Sequence, residues 1–344
     1  MGIKNYDKIK DNVTILVNSC DNYDDLWLPF FTLLKKYWVP LNVRVILNTE
    51  TKSFSVDGMN IEAIHPENPD DSYGKRMLNV LSKIDTPYVI PLLDDFFLRK
   101  NVDVDMICDI INWMEADKNI VYFNCDYTPV YEDWDRDRYP GFHRIPYGNI
   151  YTLNMQASVW RTEKLIHYWK PDVSPWEWEE YTNLTAARNT KDKFYCVSEY
   201  GNGFCDYGYT LKGMGVHHGK WVENDVIPLF EKENIKVDFS RRGFLEYGKP
   251  AVNQEYLKEH LKRVKGKSDL VNRCLDGKDK LLYSIFVKRN KVVGQFKCMP
   301  EYLYIRYSLL KNRRKFYKKI SNAQRKEMIK NNGLFKSLWR KIKK

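Results

Sequence analysis

The most chemically loaded stretch of this chain is Thr86-Pro87-Tyr88-Val89-Ile90-Pro91-Leu92-Leu93-Asp94-Asp95-Phe96-Phe97-Leu98, an apolar run broken once by two adjacent carboxylates. A run of that length, bounded by Pro87 and by Arg99-Lys100, predicts a strand buried on both faces. Ionised carboxylates are costly there unless they are paired, hydrogen-bonded or bound to a cation. In an open α/β sheet the carboxyl end of a central strand is a ligand position. Two acids at that place point to a divalent cation, and a hard cation held by one or two carboxylates commonly binds phosphate oxygens as well. The plainer account is a strand-end turn whose acids cap the next helix or face water.

Two further polar groups stand out. Glu177, Glu179 and Glu180 lie in Trp176-Glu177-Trp178-Glu179-Glu180-Tyr181, and His217-His218 follows a glycine-rich piece running from Gly201 to Gly215. Ser174 as N-cap, Pro175 as first helical residue and Glu177 as the partner in a capping box give Glu177 a structural role. That role leaves Glu179, Glu180 and the two tryptophans unexplained. Singly, each group has a dull explanation. Together they match what metal-assisted glycosyl transfer to an alcohol requires. A cation bridges a donor diphosphate, a carboxylate takes the proton of the acceptor hydroxyl, and a neutral imidazole nitrogen completes the metal shell.

The elements that must position these groups follow from periodicity. Val13 to Cys20 reads as a strand, Leu26 to Tyr37 as a helix and Val43 to Asn48 as a second strand, an order that implies a parallel sheet of nucleotide-binding type. Residues 54–64 read as a hairpin or short strand turning at Asp57-Gly58. Helices are expected over Tyr73 to Ile84 and 102–117, and a strand over Ile120 to Asn124. Asp126 to Gly148, with no clear period, reads as a long loop of the functional or mobile kind. Leu153 to Arg161 reads as a strand and Thr162 to Trp169 as a helix.

Composition bounds the class. The 344 residues are 43% hydrophobic and 29% charged, which excludes a disordered chain. Seven cysteines, widely spaced and without a C-x-x-C pair, fit reduced thiols better than a disulfide framework or a zinc site. The polar N-terminus and the lack of a long apolar stretch predict a cytoplasmic protein whose membrane contact is peripheral. The formal net charge of +11 hides an asymmetry, since residues 258–344 hold 27 Lys and Arg against 6 Asp and Glu. The body is therefore acidic and the tail basic. In Gly333 to Lys344, Leu334, Leu338, Trp339 and Ile342 share one helical face, as in a helix lying in an anionic membrane interface. A solvated basic tail is the plain alternative, and the acidic body argues against nucleic acid as the partner.

In this order the pieces resemble bacterial glycosyltransferases of the GT-A fold, particularly the inverting, family-2-like enzymes of capsule and O-antigen synthesis. The matching residues are Thr14 to Asp25, Tyr88 to Leu98, Met155 to Arg161, Pro175 to Glu179 and Gly215 to Gly219, and the resemblance covers roughly residues 10–245. It implies an α/β GT-A (Rossmann-like) domain over 1–250, built on a mixed, mostly parallel sheet flanked by helices. A basic, mainly helical region over 251–344 would follow. It also implies a nucleotide-diphospho-sugar donor (UDP in the first instance) and Mn²⁺ or Mg²⁺, while the basic amphipathic end beside an acidic body predicts a lipid-linked saccharide acceptor at the cytoplasmic face of the membrane. Carried onto this chain, Asp95 is the first metal ligand, Asp94 its neighbour for metal or ribose, and His217 or His218 the last metal contact. Glu179 is the first choice of base and Glu177 the second. Asp21 and Asn48 fall where strand-end loops meet the nucleotide, and Lys75 and Arg76 where a diphosphate lies. The chain departs from the family in having Asp94-Asp95-Phe96 where a D-x-D is usual. A metal-dependent nucleotidyl- or phosphotransferase is the competing enzyme class, although Val13 to Asp25 lacks the glycines of a phosphate loop. A non-catalytic protein that binds membrane surfaces through its tail is the third reading.

Overall fold

The computed structural model describes residues 7–128, 134–145, 152–181, 186, 191–199, 202–207 and 214–245. The basic region over 251–344 lies outside them. A nine-stranded sheet organises the rest, in the order β3-β2-β1-β4-β8-β5-β9-β7-β6. Its strands are β1 (Val13–Asn18), β2 (Arg44–Asn48), β3 (Ile61–Ile64), β4 (Tyr88–Leu93), β5 (Ile120–Asn124), β6 (Trp134–Tyr139), β7 (Phe142–Arg144), β8 (Ser158–Arg161) and β9 (Lys193–Val197). Pairing is parallel through β3, β2, β1 and β4 and again between β5 and β9. β8 runs against both β4 and β5, and β6-β7 is an antiparallel hairpin at the far edge. The result is an α/β fold on a mixed sheet in which most strands share one direction.

The sequence accounts for the central strands directly. All six residues of β1 are buried, as are the first five of β4. Both faces are covered. Ile15, Val17, Ile90 and Leu92 pack toward α2 (Asp24–Tyr37) and α4 (Val104–Ala116), while Leu16, Ile46 and Val89 pack toward α3 (Tyr73–Leu81) and α5 (Thr162–Tyr168). Each fully buried Val, Leu or Ile contributes roughly 1.5–3 kcal/mol, so the two layers lock the strand register. Two short helices complete the set, α1 (Asp7–Asn12) and α6 (Pro175–Tyr181), followed by α7 (Glu223–Glu233) and a two-stranded hairpin, β10 (Val216–His217) with β11 (Lys220–Trp221).

Of the hairpin or short strand expected over 54–64, the structure has the short strand, Ile61–Ile64, as a parallel edge on β2, after the expected turn at Asp57-Gly58 with Gly58 at φ +71°. Two other expectations are corrected. The stretch expected to be one long loop contains β6 and β7, whose connection turns at Gly141 with φ +82°. The strand expected from Leu153 shortens to Ser158–Arg161, because Asn154 Oδ1 accepts the Gln156 N–H at 3.1 Å and ties the segment into a turn. β9, absent from the sequence reading, is a short buried run that enters beside β5.

Candidate functional site

β1 lies between β2 and β4 in the sheet, so the chain crosses from one side of β1 to the other between β2 and β4. That is a topological switch point, where the carboxyl ends of strands open a crevice. Register fixes what lines it. Asn18 is level with Asn48 of β2 and with Leu93 of β4, which sets the next residues, Ser19 and Asp94, side by side. Ser19 Oγ donates to Asp94 Oδ2, and Trp27 Nε1 donates to Ser19 Oγ at 2.7 Å. Asp94 is 4% exposed. Burial pushes its carboxyl well above the ordinary range, the neighbouring Asp95 charge pushes further, and the Ser19 bond pulls back only in part.

Asp95 is half-buried in the turn that follows β4. Burial raises its pKa to about 7, against a hydrogen bond from its own backbone and the positive Arg242. Arg242 reaches the crevice from the last described segment. Its Nε donates to Asp25 Oδ2 at 2.6 Å, its Nη2 donates to the Asn22 carbonyl at 2.6 Å, and its guanidinium sits 4.3 Å from the Tyr23 ring. The Tyr23 hydroxyl is itself pushed up to about 12, by burial and then by the Asp95 charge. Two carboxylates thus share a desolvated corner with one guanidinium, an arrangement that a further cation would relieve.

A second acid lies apart from the first two. Glu179, on α6, is half-buried and accepts the Met155 N–H at 2.6 Å. Burial raises its pKa to about 7, and the Met155 bond offsets only part of that. The start of α3 connects the two places. On one side Arg76 donates to the Ser19 carbonyl at 3.4 Å and pairs with Glu50 at 2.9 Å. On the other, Ser72 Oγ donates to the Pro171 carbonyl at 2.7 Å and Trp169 Nε1 to the Gly74 carbonyl at 3.0 Å. Trp169 stacks on Trp178, the residue before Glu179, at 4.6 Å. Gly74 permits this approach, since a Cβ there would stand 2.4 Å from the Lys170 carbonyl oxygen.

The remaining candidates divide clearly. Asn48 is buried and donates to Asn18 Oδ1 at 3.2 Å and toward Met77 Sδ at 3.4 Å, bracing the strand ends. Asp21 accepts from Thr51 N at 3.1 Å, Thr51 Oγ1 at 2.5 Å and Lys52 N at 3.1 Å, shaping the loop after β2. Burial raises its pKa, but those bonds outweigh it and hold the carboxyl below its ordinary value. Lys75 is exposed, 3.8 Å from Asp71. Glu177 lies on α6, and its side chain is outside the described set, as is that of Glu180. The hairpin carrying His217 and His218 is clamped to the acid pair by a 2.7 Å bond from the Gly215 N–H to the Asp95 carbonyl. A side chain on Gly215 would strike the Phe97 ring.

Among the described residues, no group of three or more His, Cys, Asp or Glu side chains is placed to hold a metal ion. The acid pair would suit a hard cation held by one or two carboxylates, with its other positions filled by phosphate oxygens and water, rather than an all-protein cage. Ser19, Trp27, Tyr73 and Arg242 belong to this corner and were not singled out by sequence. The β1/β4 register was the missing information for Ser19, and nothing local marks Arg242. No helix among the described residues is long and apolar enough to cross a membrane.

No family model matches the sequence, and none of the curated proteins does. Solved structures do align. Residues 1–349 of S. aureus TarS in complex with UDP-GlcNAc align at TM-score 0.40 and 12% identity, over 88% of this chain and 92% of that one. The mannosyltransferase PcManGT of Pyrobaculum calidifontis, in complex with GDP-Man and Mn²⁺, aligns at 0.38 and 12%, over 88% and 87%. A cytidylyltransferase from Leptospira borgpetersenii aligns at 0.32 and 14%, over 52% and 72%. Against the S. aureus TarS crystal structure this chain spans 37% of the other's length. At such scores these likenesses carry no part of the functional argument, which rests on the crevice.

Proposed function

We propose that this protein is a glycosyltransferase that moves a hexose from a nucleotide-diphospho-sugar to a hydroxyl acceptor. The observation that carries the reading is the presence of two distinct carboxyl sites linked through the start of α3, where Arg76 reaches Ser19 and the Gly74 carbonyl accepts from Trp169. One is an adjacent pair of acids suited to a cation, and the other is a single glutamate suited to a proton. Asp95, with Asp94 behind it, would hold Mn²⁺ or Mg²⁺. Such an ion, held there, would supply charge that stabilises the departing diphosphate. Ser19 and Trp27 fix Asp94, and Arg242 adds a fixed positive charge beside the same corner.

Glu179 is the base. The acceptor hydroxyl gives its proton to the Glu179 carboxylate as its oxygen forms a bond to the sugar's anomeric carbon, and the bond from that carbon to the diphosphate oxygen breaks. A carboxyl near 7 is ionised often enough to accept the proton and basic enough to be useful. The Met155 N–H orients it. Nucleotide contacts fall to the strand-end loops, with Arg76 at their base. The donor we favour is a UDP-sugar, on the resemblance in the sequence, and the acceptor a lipid-linked saccharide of bacterial surface polysaccharide synthesis. The strongly basic region 251–344 supports that acceptor, since such a segment would hold an acidic body at the inner, anionic face of the cell membrane.

The test is donor hydrolysis. With Mn²⁺ the full chain should slowly release UDP from a UDP-hexose, and Asp95→Ala should abolish it. Hydrolysis that ignores both the metal and Asp95 would remove the basis of the reading. Deleting 333–344 should weaken sedimentation with anionic vesicles in a salt-dependent way. Unchanged binding at low salt would sever the membrane proposal from the catalytic one.

A further inference from the structure

Trp176, the second residue of α6, is 60% exposed. The other exposed large apolar side chains among the described residues, Leu28, Val39 and Ile166, are aliphatic. A single exposed aliphatic residue is ordinary surface. An exposed indole leaves a larger, flat apolar face in water. Its near neighbour Trp178 behaves differently: it is fully buried, donates from Nε1 to the Tyr168 carbonyl at 3.0 Å and stacks on Trp169.

The helix sets the Trp176 face beside Glu179. The Trp178 N–H donates to the Ser174 carbonyl at 2.9 Å, so this turn is helical. Residues three apart then stand on one side of it, with Cβ atoms about 5–6 Å apart. At 3.6 residues per turn, Glu179 lies about 100° round from Trp178, and Trp176 about 60° further. Burial follows that order, complete at Trp178, partial at Glu179 and least at Trp176. Helical side chains lean toward the N-terminus, which tips the Glu179 carboxyl back over the turn carrying Trp176. Both side chains are open to solvent, so one ligand reaches both without rearrangement. A hexopyranose with equatorial hydroxyls offers a flat patch of C–H bonds that suits an indole face, while its hydroxyls project from the rim. A ring lying on Trp176 presents a rim hydroxyl toward Glu179. A purely apolar ligand would have no use for the acid, and a phosphate would be repelled by it.

We propose that Trp176 is the platform for the saccharide acceptor, a hexopyranose that stacks its C–H face on the indole and turns one hydroxyl to Glu179. This deepens the glycosyltransferase reading and rests on it. The indole contributes binding and orientation and takes no part in bond making. A sugar with an axial hydroxyl on the stacked face is held off the ring, so the platform also selects among epimers.

The test is saturation-transfer NMR on the full chain with Mg²⁺ and UDP, in wild type, Trp176→Phe and Trp176→Ala. The probes are the octyl β-glycosides of glucose, galactose and N-acetylglucosamine, and octyl α-mannoside. The side chain is on the surface, so both variants should keep the wild-type Tm. In wild type, saturation should reach the C–H protons of one face of the sugar ring. Trp176→Ala should weaken affinity for the responding glycoside about tenfold, and Trp176→Phe, which keeps an aromatic face, about threefold. Affinity for Mg²⁺–UDP by calorimetry should hold within about twofold. Equal losses for UDP and glycoside, or a lowered Tm, would make the indole structural and overturn the inference. So would saturation confined to the octyl chain, or glycoside binding unchanged in Trp176→Ala; weaker sedimentation of that variant with anionic vesicles would then give the indole to the membrane. Wild type that binds Mg²⁺–UDP and none of the glycosides would overturn this inference alone. Wild type that fails to bind Mg²⁺–UDP would overturn the functional reading, and this inference with it.

Discussion

Asp95 and Glu179 have the same chemistry and sit in different company. Burial raises both to about 7. Asp95 has a second carboxylate beside it and a guanidinium nearby, whereas Glu179 has a backbone N–H at 2.6 Å and aromatic neighbours. Two acids that repel each other in a desolvated corner gain most from a cation. A buried acid held by a backbone N–H gains most from a proton. Under the proposed function, that difference would give Asp95 the fixed charge and Glu179 the moving proton.

Substitutions should separate those roles, beginning with the largest effect. Glu179→Gln keeps shape and the Met155 bond but cannot take a proton, so transfer should fall by roughly 10²–10⁴ while Mn²⁺–nucleotide binding holds. Lost nucleotide binding would move Glu179 to the other side of the comparison. Asp95→Ala should cost roughly 10³ in transfer and remove metal-dependent nucleotide binding as well. Steady-state kinetics alongside calorimetry tells the two patterns apart.

Breaking the bridge between the sites should matter less to chemistry and more to folding. Gly74→Ala drives a methyl into the Lys170 and Pro171 carbonyls, and should cost about 1–3 kcal/mol in urea unfolding. Ser19→Ala releases Asp94 from its hydroxyl and should lower activity about tenfold, with metal affinity changed and Glu179-dependent proton transfer intact. A normal metal titration in Ser19→Ala would mean that Asp94 plays no part at the cation.

pH gives the subtlest test. Glu179 titrates near 4.5 when unfolded and about 7 when folded. Between those values the folded state binds more protons, so this group's stabilising contribution is complete below the unfolded value and is lost as pH rises through about 7. Asp95 acts in the same direction over its window from 3.8 to about 7. Metal-free protein should therefore lose Tm from pH 5 to pH 8. Glu179→Gln should remove part of that slope, and saturating Mn²⁺ another part. A slope identical in wild type and Glu179→Gln would mean that Glu179 is not buried as described.

How much of this could be read from the chain alone varies with the element. The Tyr88–Leu93 strand and its closing acids were legible because an apolar run ending in two carboxylates permits few other placements. Glu179 stood out because the helical start at Pro175 gives Glu177 a capping role and leaves Glu179 unexplained, and the structure adds its partial burial and the bond from the Met155 N–H. Ser19 was not, because its importance depends on the pairing of Asn18 with Leu93, a contact between distant segments. Arg242 was not, because it reaches the crevice through Asp25 and Asn22, far away in sequence. The β6-β7 edge was missed where charged and aromatic residues hide a short hairpin, and β9 because five residues carry little period. Asp21 and Asn48 stand at the expected strand ends, and their side chains are engaged in holding those ends together.

The most direct measurement is Mn²⁺-dependent binding of UDP and GDP by calorimetry in wild type, Asp95→Ala and Glu179→Gln. A cation site at Asp95 predicts binding in wild type that requires Mn²⁺, its loss in Asp95→Ala and its survival in Glu179→Gln. Metal-independent binding, or binding that survives in Asp95→Ala, would contradict it.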